Sequence, residues 1–165
     1  MLKICLDLNV WCGAFLSRRL GRNDTATIAL VDAVRSGHSP RGPVALIVSW
    51  GMLERLRIVL TRNLGFADRD AVRLVELIAG YAKEGPSLTL GGVGVIPIYD
   101  VEDRHVLETA WAGEADILAT ANLADFIQPG DQAIIEGRVY QLNRGGKAML
   151  LAHPFEAIRW LNERA

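Results

Sequence analysis

The sequence predicts an α/β domain with a mainly parallel sheet and helices on both faces. Short apolar runs alternate with amphipathic stretches along the whole chain, which is the order of strands and crossover helices. The run VALIV at 44–48 is almost continuously apolar, as is typical of a strand covered on both faces. With 165 residues, half of them hydrophobic, the chain is expected to form a single domain over 1–165.

In the first half, strands and capped helices follow one another. Residues 2–7 predict a buried strand, in which Leu2, Ile4, Cys5 and Leu6 are apolar. Asp24 or Thr25 can cap a helix that runs to about Ser36, and Gly37 ends it. The further elements predicted here are a turn-rich loop at 38–43, a strand at 44–48, a helix from the cap Ser49 to about Arg62 and a helix over 68–83.

The second half continues the alternation with more turn signals. A Gly-rich loop at 85–94 precedes a predicted strand at 93–99, where Pro97 favours an edge position. The remaining elements predicted are a helix at 103–112, a short strand at 116–119, a possible hairpin within 127–147, a strand at 148–152 and a helix from Pro154 to near Glu163.

Composition excludes several classes of protein. The net charge of −1 argues against a general polyanion binder. Cys5 and Cys12 are the only cysteines, and they predict free thiols in a reducing cytoplasm, without a disulfide framework or zinc site. We expect no membrane span and no signal peptide, because no apolar run is long enough and Asp7 interrupts the first one.

Acidic residues recur just after the predicted strands. They are Asp7, Glu54, Asp100 or Asp103, and the Asn122–Asp125 segment. Because the carboxyl ends of parallel strands meet at one edge of the sheet, where ligands bind in such folds, these acids are expected to converge. Clustered carboxylates repel one another unless a cation neutralises them, and an all-oxygen site suits Mg²⁺ or Mn²⁺.

Each acid also has an ordinary structural explanation. Asp7 could cap the following segment, although no cap motif follows it, and a buried carboxylate is costly without a cation or a partner. Glu54 could face the sheet edge or pair with a nearby arginine in solvent. Asp103, like Asp100, could cap its helix, and Asn122 with Asp125 could form an Asx turn.

A hard divalent cation at this edge would orient a water, lower its pKa and neutralise charge on a phosphodiester. The sequence lacks a GxxxxGK[ST] loop, GxSxG and HExxH, which argues against triphosphate hydrolysis and serine or zinc hydrolases. Receiver domains and haloacid-dehalogenase-like phosphatases are disfavoured as well, since their acidic signatures are missing.

Four blocks of sequence resemble PIN-domain proteins, specifically the toxin-like nucleases of the VapC type. The blocks are LDLNVWCGAFLS, VSWGMLERLRIVL, DVEDRHVLETAWAGEADILATANLADF and HPFEAIRWL, and the resemblance that they carry spans nearly the whole chain. The resemblance implies a Rossmann-like three-layer α/β/α sandwich and a Mg²⁺- or Mn²⁺-dependent endoribonuclease. Asp7, Glu54 and Asp103 would be its core metal carboxylates.

One position departs from the family pattern. The fourth acid of the family usually stands two residues after the threonine, where this chain has Asn122. Asn122 would then act as a neutral ligand, or Asp125 would supply the charge, or the activity would be weaker. Asn9, Ser49 and Thr120 would orient the ligands from behind, and the candidate RNA contacts are Arg18, Arg19 and Arg55.

The resemblance also implies partners. The substrate would be single-stranded or structured RNA, and an antitoxin protein would cover the acidic site of a cytoplasmic homodimer. No membrane partner is expected. The alternative from another class is a non-catalytic PIN-like module that binds RNA or protein, and Asn122 is the feature that favours it.

Overall fold

The structure is a computed structural model that describes residues 1–87 and 101–163, with side chains described for 1–87 and 104–163. Its helices are Leu8–Arg19 (α1), Ala26–Ser36 (α2), Trp50–Arg62 (α3), Asp68–Tyr81 (α4), Val101–Ala112 (α5) and Pro154–Asn162 (α6). Its strands are Leu2–Leu6 (β1), His38–Ser39 (β2), Gly42–Ile47 (β3), Ile117–Ala119 (β4), Gln132–Ile135 (β5), Val139–Arg144 (β6) and Lys147–Ala152 (β7).

The described strands form one sheet in the order β2-β3-β1-β4-β7-β6-β5. The central strands β3, β1, β4 and β7 run parallel, whereas β2 at one end and the β5–β6 pair at the other are antiparallel to their neighbours. The carboxyl-terminal halves of these central strands are mostly buried, and β4 is buried along its whole length. The predicted α/β sandwich with a mainly parallel central sheet is thereby confirmed.

Most predicted helix ends are confirmed by their caps. The Thr25 hydroxyl accepts the Ile28 N–H, and Gly37 ends α2 with a left-handed φ of 69°. Ser49 caps α3, and Pro154 occupies the first turn of α6. Helix α4 ends at Tyr81, two residues before the predicted end.

Helix α1 was not predicted, and the statement that no cap motif follows Asp7 is wrong. Asp7 is itself the N-cap of α1, and its carboxylate accepts the Leu8 N–H at 2.6 Å. The turn from β1 into α1 takes this single residue, so no loop composition marks the boundary. Gly13 lies inside the helix, where a Cβ would approach Thr27 Cγ2 to 3.3 Å, so α1 packs closely on α2.

The antiparallel hairpin expected within 127–147 is present as β5 and β6, and β7 extends it. Strand β5 is exposed along its whole length, and its register with β6 shifts between Ala133 and Ile135. The predicted strand at 93–99 and Asp100 lie outside the described residues. In the described part of the chain, no helix is long and apolar enough to cross a membrane.

Candidate metal-binding edge of the sheet

Four adjacent strands place four residues in a row at one edge of the sheet. The Asp7 N–H donates to Ala119 O at 3.0 Å, and the Thr120 N–H donates to Ala152 O at 3.0 Å. The His153 N–H in turn donates to Arg138 O at 2.9 Å. Asp7, Thr120 and His153 therefore follow the carboxyl ends of β1, β4 and β7, with Arg138 beside them at the start of β6.

The carboxylate of Asp7 is held by three hydrogen bonds. Its Oδ1 accepts the Leu8 N–H at 2.6 Å, and its Oδ2 accepts the Thr120 hydroxyl and the Asn9 amide, each at 2.7 Å. A carboxylate has roughly four acceptor sites, so about one remains for another ligand. The side chain is thus fixed in orientation while it keeps some capacity to bind.

Asn9 and Thr120 are themselves positioned by the backbone that follows β4. Asn9 Oδ1 accepts the Ala121 N–H at 3.0 Å, which fixes its amide with the NH₂ group towards Asp7. The Thr120 hydroxyl accepts the Asn122 N–H at 3.0 Å while it donates to Asp7. The prediction that Asn9 and Thr120 orient the first acid therefore has a geometric basis.

Asp7 is 5% exposed, and burial raises its pKa above the usual range of an aspartate. The hydrogen bonds from Thr120, Leu8 and Asn9 oppose this shift, whereas the charge of Asp125 adds to it. Within 1–87 and 104–163, Asp7 forms no ion pair with a lysine or arginine. A buried carboxylate without a cationic partner is the group that a metal ion would compensate.

Asn122 and Asp125 lie beside this carboxylate. The Asn122 side-chain amide donates to Asp125 Oδ2, and both residues are exposed around the short 3₁₀ turn Leu123–Asp125. The Asx turn that the sequence allowed is not formed, because the Asn122 side chain caps no backbone N–H and bonds Asp125 instead. Asp125 stays a predicted metal ligand, and its negative charge adds to the raised pKa of Asp7.

Glu54 has a different environment. Its side chain is 58% exposed and forms a two-point ion pair with Arg57, with N–O distances of 2.7 and 3.0 Å. Arg57 also binds Asp68 of α4 at 2.7 Å. Hydrogen bonding to Arg57 lowers the pKa of Glu54. The second of its two expected roles, pairing with an arginine in solvent, is the one seen, and its role as a metal ligand stays a prediction.

Ser49 does not contact Asp7 but joins two helices. Its buried hydroxyl accepts the Met52 N–H of α3 at 3.2 Å and the Thr109 hydroxyl of α5 at 2.9 Å. Close by, a Cβ at Gly51 would lie only 1.9 Å from His105 Nε2, so α3 and α5 touch at this point. Asp103 lies in the first turn of α5, and its side chain is outside the described part of the structure.

The arginines predicted to contact RNA occupy two places. Arg18 and Arg19 end α1, roughly 17 Å along the helix from Asp7. Arg18 pairs with Asp32 at 2.6 Å, and Arg19 lies over the Phe66 ring at 4.9 Å, so both line a groove between α1 and α4. Arg55 is half-buried on α3. These contacts stay predictions, and the first two lie far from the sheet edge.

The side-chain oxygen atoms at this edge are of the type that a hard cation binds. Asp7, Asp125 and the Asn122 amide offer oxygen atoms, which Mg²⁺ and Mn²⁺ prefer, and Asp7 keeps an acceptor site. Among the residues whose side chains are described, no group of three or more acidic, histidine or cysteine side chains is close enough to hold a metal. A complete ligand set would therefore need Asp103, a movement of Glu54, or both.

His153 and Arg138 belong to the same edge, yet neither was predicted. Their position depends on the register in which β6 pairs with β7, where Val139 faces Ala152. The only sequence signal was the Pro154 helix start, which marks His153 as the residue that follows a strand. Pairing partners of antiparallel strands cannot be read from that signal.

Comparison with known proteins gives one match. A sequence profile described as PIN domain matches residues 3–124, which includes Asp7, Glu54, Asp103, Thr120 and Asn122. No curated protein and no solved structure matches the chain significantly. The matched segment is about three quarters of the chain and ends just before Asp125. The chain therefore belongs to the PIN-domain family, whose members are generally nucleases that use divalent metal ions.

Proposed function

We propose that this protein is an endoribonuclease that uses Mg²⁺ or Mn²⁺ to hydrolyse phosphodiester bonds of RNA. The observation that carries the proposal is the buried Asp7 carboxylate at the end of β1, held by Thr120 and Asn9 and lacking a cationic partner in the described structure. Such a costly arrangement at the sheet edge is typical of a functional site.

The chain's own residues would act by holding and orienting. Asp7 would bind the ion, with Asp103, Glu54 and Asp125 as the further predicted carboxylates and Asn122 as a neutral ligand. Thr120 and Asn9 fix the direction of the Asp7 oxygens, so little reorganisation is needed on binding. When bound there, a divalent ion would neutralise charge on the phosphodiester and lower the pKa of a water.

The biological role we propose is the toxin of a toxin–antitoxin pair, as a cytoplasmic homodimer. An antitoxin protein would keep the sheet edge covered until it is removed. This part of the proposal rests on the resemblance of the four sequence blocks alone.

A non-catalytic PIN-like module is the second candidate, and two observations favour it. Asn122 replaces an acid in the family pattern, and Glu54 is occupied by Arg57. Both reduce the negative charge available to a cation at the edge. Such a module would bind RNA or a protein partner without cutting RNA.

The test is cleavage of end-labelled single-stranded RNA by the purified, antitoxin-free protein, with Mn²⁺ or Mg²⁺ against EDTA. Asp7→Asn is the matched variant, because asparagine caps a helix about as well as aspartate, and circular dichroism checks that the variant folds although its amide faces the Asn9 amide. Cutting that needs the metal and is lost in the variant supports the enzyme. Folded protein that cuts under neither metal supports the binding module instead.

A further inference from the structure

A cavity of about 450 Å³ lies beside the candidate metal-binding edge. It is lined by Gly137, Arg138, His153, Phe155 and Glu156. These residues lie where β6 begins and β7 ends, in the part of the chain beyond the segment that the family profile matches. The cavity is continuous with the row of strand ends, because His153 stands next to Thr120 in that row.

The lining combines an exposed aromatic ring with cationic and hydrogen-bonding groups. Phe155 lies in the first turn of α6 and is 54% exposed. The Arg138 side chain is 61% exposed. An exposed aromatic ring beside an arginine offers a stacking face and a cation at one place, the combination that single-stranded nucleic acids bind.

One ion pair positions Arg138 and leaves most of its N–H groups available. Its Nη1 donates to Glu156 Oε1 at 3.2 Å, and Arg159 binds the other oxygen of Glu156 at 2.9 Å. Glu156 is 6% exposed and pairs with both arginines. The three side chains, Glu156, Arg138 and Arg159, therefore carry a net positive charge together. The other N–H groups of the Arg138 guanidinium can still bind an anion.

His153 adds a donor on the same side. Its Nδ1 accepts the Phe155 N–H at 3.4 Å, which caps α6. In the neutral ring the proton must then be on Nε2, so the outer nitrogen is a donor. The exposed edge of the cavity thus carries an aromatic face, a guanidinium and an imidazole N–H, which match the base and the phosphate of one nucleotide.

We infer that Phe155, Arg138 and His153 form a subsite for single-stranded RNA, in which a base stacks on Phe155 and the adjoining phosphate binds Arg138 and His153. The inference rests on the proposed function, since it places this nucleotide next to the one processed at Asp7. Neighbouring strands are about 4.8 Å apart, so His153, two strands from Asp7, is roughly 10 Å away along the edge.

Single-stranded RNA fits the subsite better than a duplex or a protein does. In a duplex the bases are stacked on one another and no face is free for Phe155. The site also continues an edge at which a nuclease of this family would hold phosphodiesters. Stacking on an aromatic ring tolerates any base, so we expect affinity here with little sequence preference.

The experiment measures binding without cleavage. The full-length protein in EDTA is titrated into fluorescein-labelled oligouridylate, and anisotropy gives the Kd at several salt concentrations. Phe155→Ala should weaken binding about tenfold, whereas Phe155→Trp should retain it. Arg138→Gln should weaken binding about fivefold and reduce the slope of the salt dependence by about one.

The matched control is Arg159→Gln. It also removes one partner of Glu156, but Arg159 lines a different cavity, on the side of Ile117 and Ile134. Its Kd should change less than about twofold, because Arg159 does not line the proposed subsite and is not expected to contact the phosphate. Equal losses in the two arginine variants would show a structural effect and overturn the subsite, as would an unchanged Kd in Phe155→Ala. Duplex RNA should bind the wild-type protein and Phe155→Ala alike, and a greater loss with duplex would also count against it.

The subsite and the nuclease proposal fail separately. Metal-dependent cleavage with no effect of Phe155→Ala on binding would reject the subsite and leave the nuclease standing. Binding that depends on Phe155 in a protein that never cuts RNA would keep the subsite and favour the non-catalytic module. Wild-type protein that binds no oligouridylate would overturn the subsite whatever its cleavage activity.

Discussion

Asp7 and Glu54 follow neighbouring buried strands, and both were predicted to bind the metal, yet their surroundings differ in every respect. Asp7 is buried, bound by neutral donors, and burial raises its pKa. Glu54 is exposed, bound by Arg57, and that ion pair lowers its pKa. The Asp7 carboxylate is therefore poorly neutralised and available to a metal ion, whereas the Glu54 carboxylate is already neutralised by Arg57.

The contrast also determines how each acid affects stability. The folded-state pKa of Asp7 is raised, so the folded protein binds this proton more tightly than the unfolded chain does. Its contribution to stability is thus complete below the ordinary aspartate pKa and is lost as the pH rises through the raised value. Glu54 has a lowered pKa, so its contribution exists above the ordinary glutamate pKa and is lost on acidification.

The largest expected effect separates the two acids directly. Asp7→Asn should reduce the rate of RNA cleavage by more than about 100-fold, because an ion at the site supplies several kcal/mol of charge stabilisation. Glu54→Gln should reduce it only about tenfold, since the exposed Glu54 must first leave Arg57. Single-turnover cleavage in Mn²⁺ measures both rates.

Thermal unfolding provides the control for this pair. Asp7→Asn keeps the cap of α1 but turns an NH₂ group towards the Asn9 amide, so its melting temperature in EDTA should fall less than that of Asp7→Ala, which should lose about 1 kcal/mol or more of stability with the cap. A larger loss of cleavage in Glu54→Gln than in Asp7→Asn would reverse the comparison and make Glu54 the principal ligand.

Thr120→Val should have the next largest effect. The variant removes the hydroxyl that donates to Asp7 at 2.7 Å, so the carboxylate loses orientation and its pKa rises further. Loss of a group that orients a metal ligand typically costs about 10- to 100-fold in activity. The acid limb of the pH–rate profile should move to higher pH. Thr61→Val, whose hydroxyl bonds the backbone of its own helix, should change neither rate nor profile.

Asn122→Asp should strengthen cation binding at the Asp7 end of the site. It restores the acid of the family pattern and replaces a donor to Asp125 by a second negative charge. We expect Mn²⁺ binding to tighten about tenfold by isothermal titration, since one more charged oxygen ligand becomes available. The control is Asn143→Asp, which adds the same negative charge at an exposed position of β6, away from the edge. If neither variant changes the affinity for Mn²⁺, Asn122 is excluded as a ligand position.

Arg57→Gln should have the smallest effect, and it acts on Glu54 rather than on Asp7. Without its partner, Glu54 becomes free to turn to the sheet edge, and Mn²⁺ binding should tighten about two- to fivefold. Arg62→Gln on the same helix is the control for the loss of positive charge. If the two variants bind Mn²⁺ equally well, the Glu54–Arg57 pair does not compete with the metal.

The parts of the fold that follow local rules were predictable. Thr25, Gly37, Ser49 and Pro154 mark helix ends by their own chemistry, and the continuous apolar run at 44–48 marks a buried strand. Helix α1 escaped prediction because Asp7 serves at once as the strand end, the helix cap and a candidate ligand. A single junction residue leaves no loop signal to read.

The site was predictable in its residues but only partly in their contacts. The order of strands and acids was enough to bring Asp7, Thr120 and Asn122 together, because parallel strands end at one edge. The Glu54 side chain can pair with Arg57 or turn towards that edge, and the spacing of residues in the sequence does not determine which conformation it adopts. His153 and Arg138 depend on the register of two antiparallel strands, which only the assembled sheet reveals.

Strand β5, at the far end of the described sheet, bears on how the purified protein behaves. An exposed edge strand offers unpaired backbone groups to another chain, and Ile134 and Ile135 add apolar surface to it. The register shift between Ala133 and Ile135 distorts the strand, which disfavours pairing with a second copy. Removing the shift by deleting Ile134 would straighten the edge, and we then expect turbidity and loss of material during concentration.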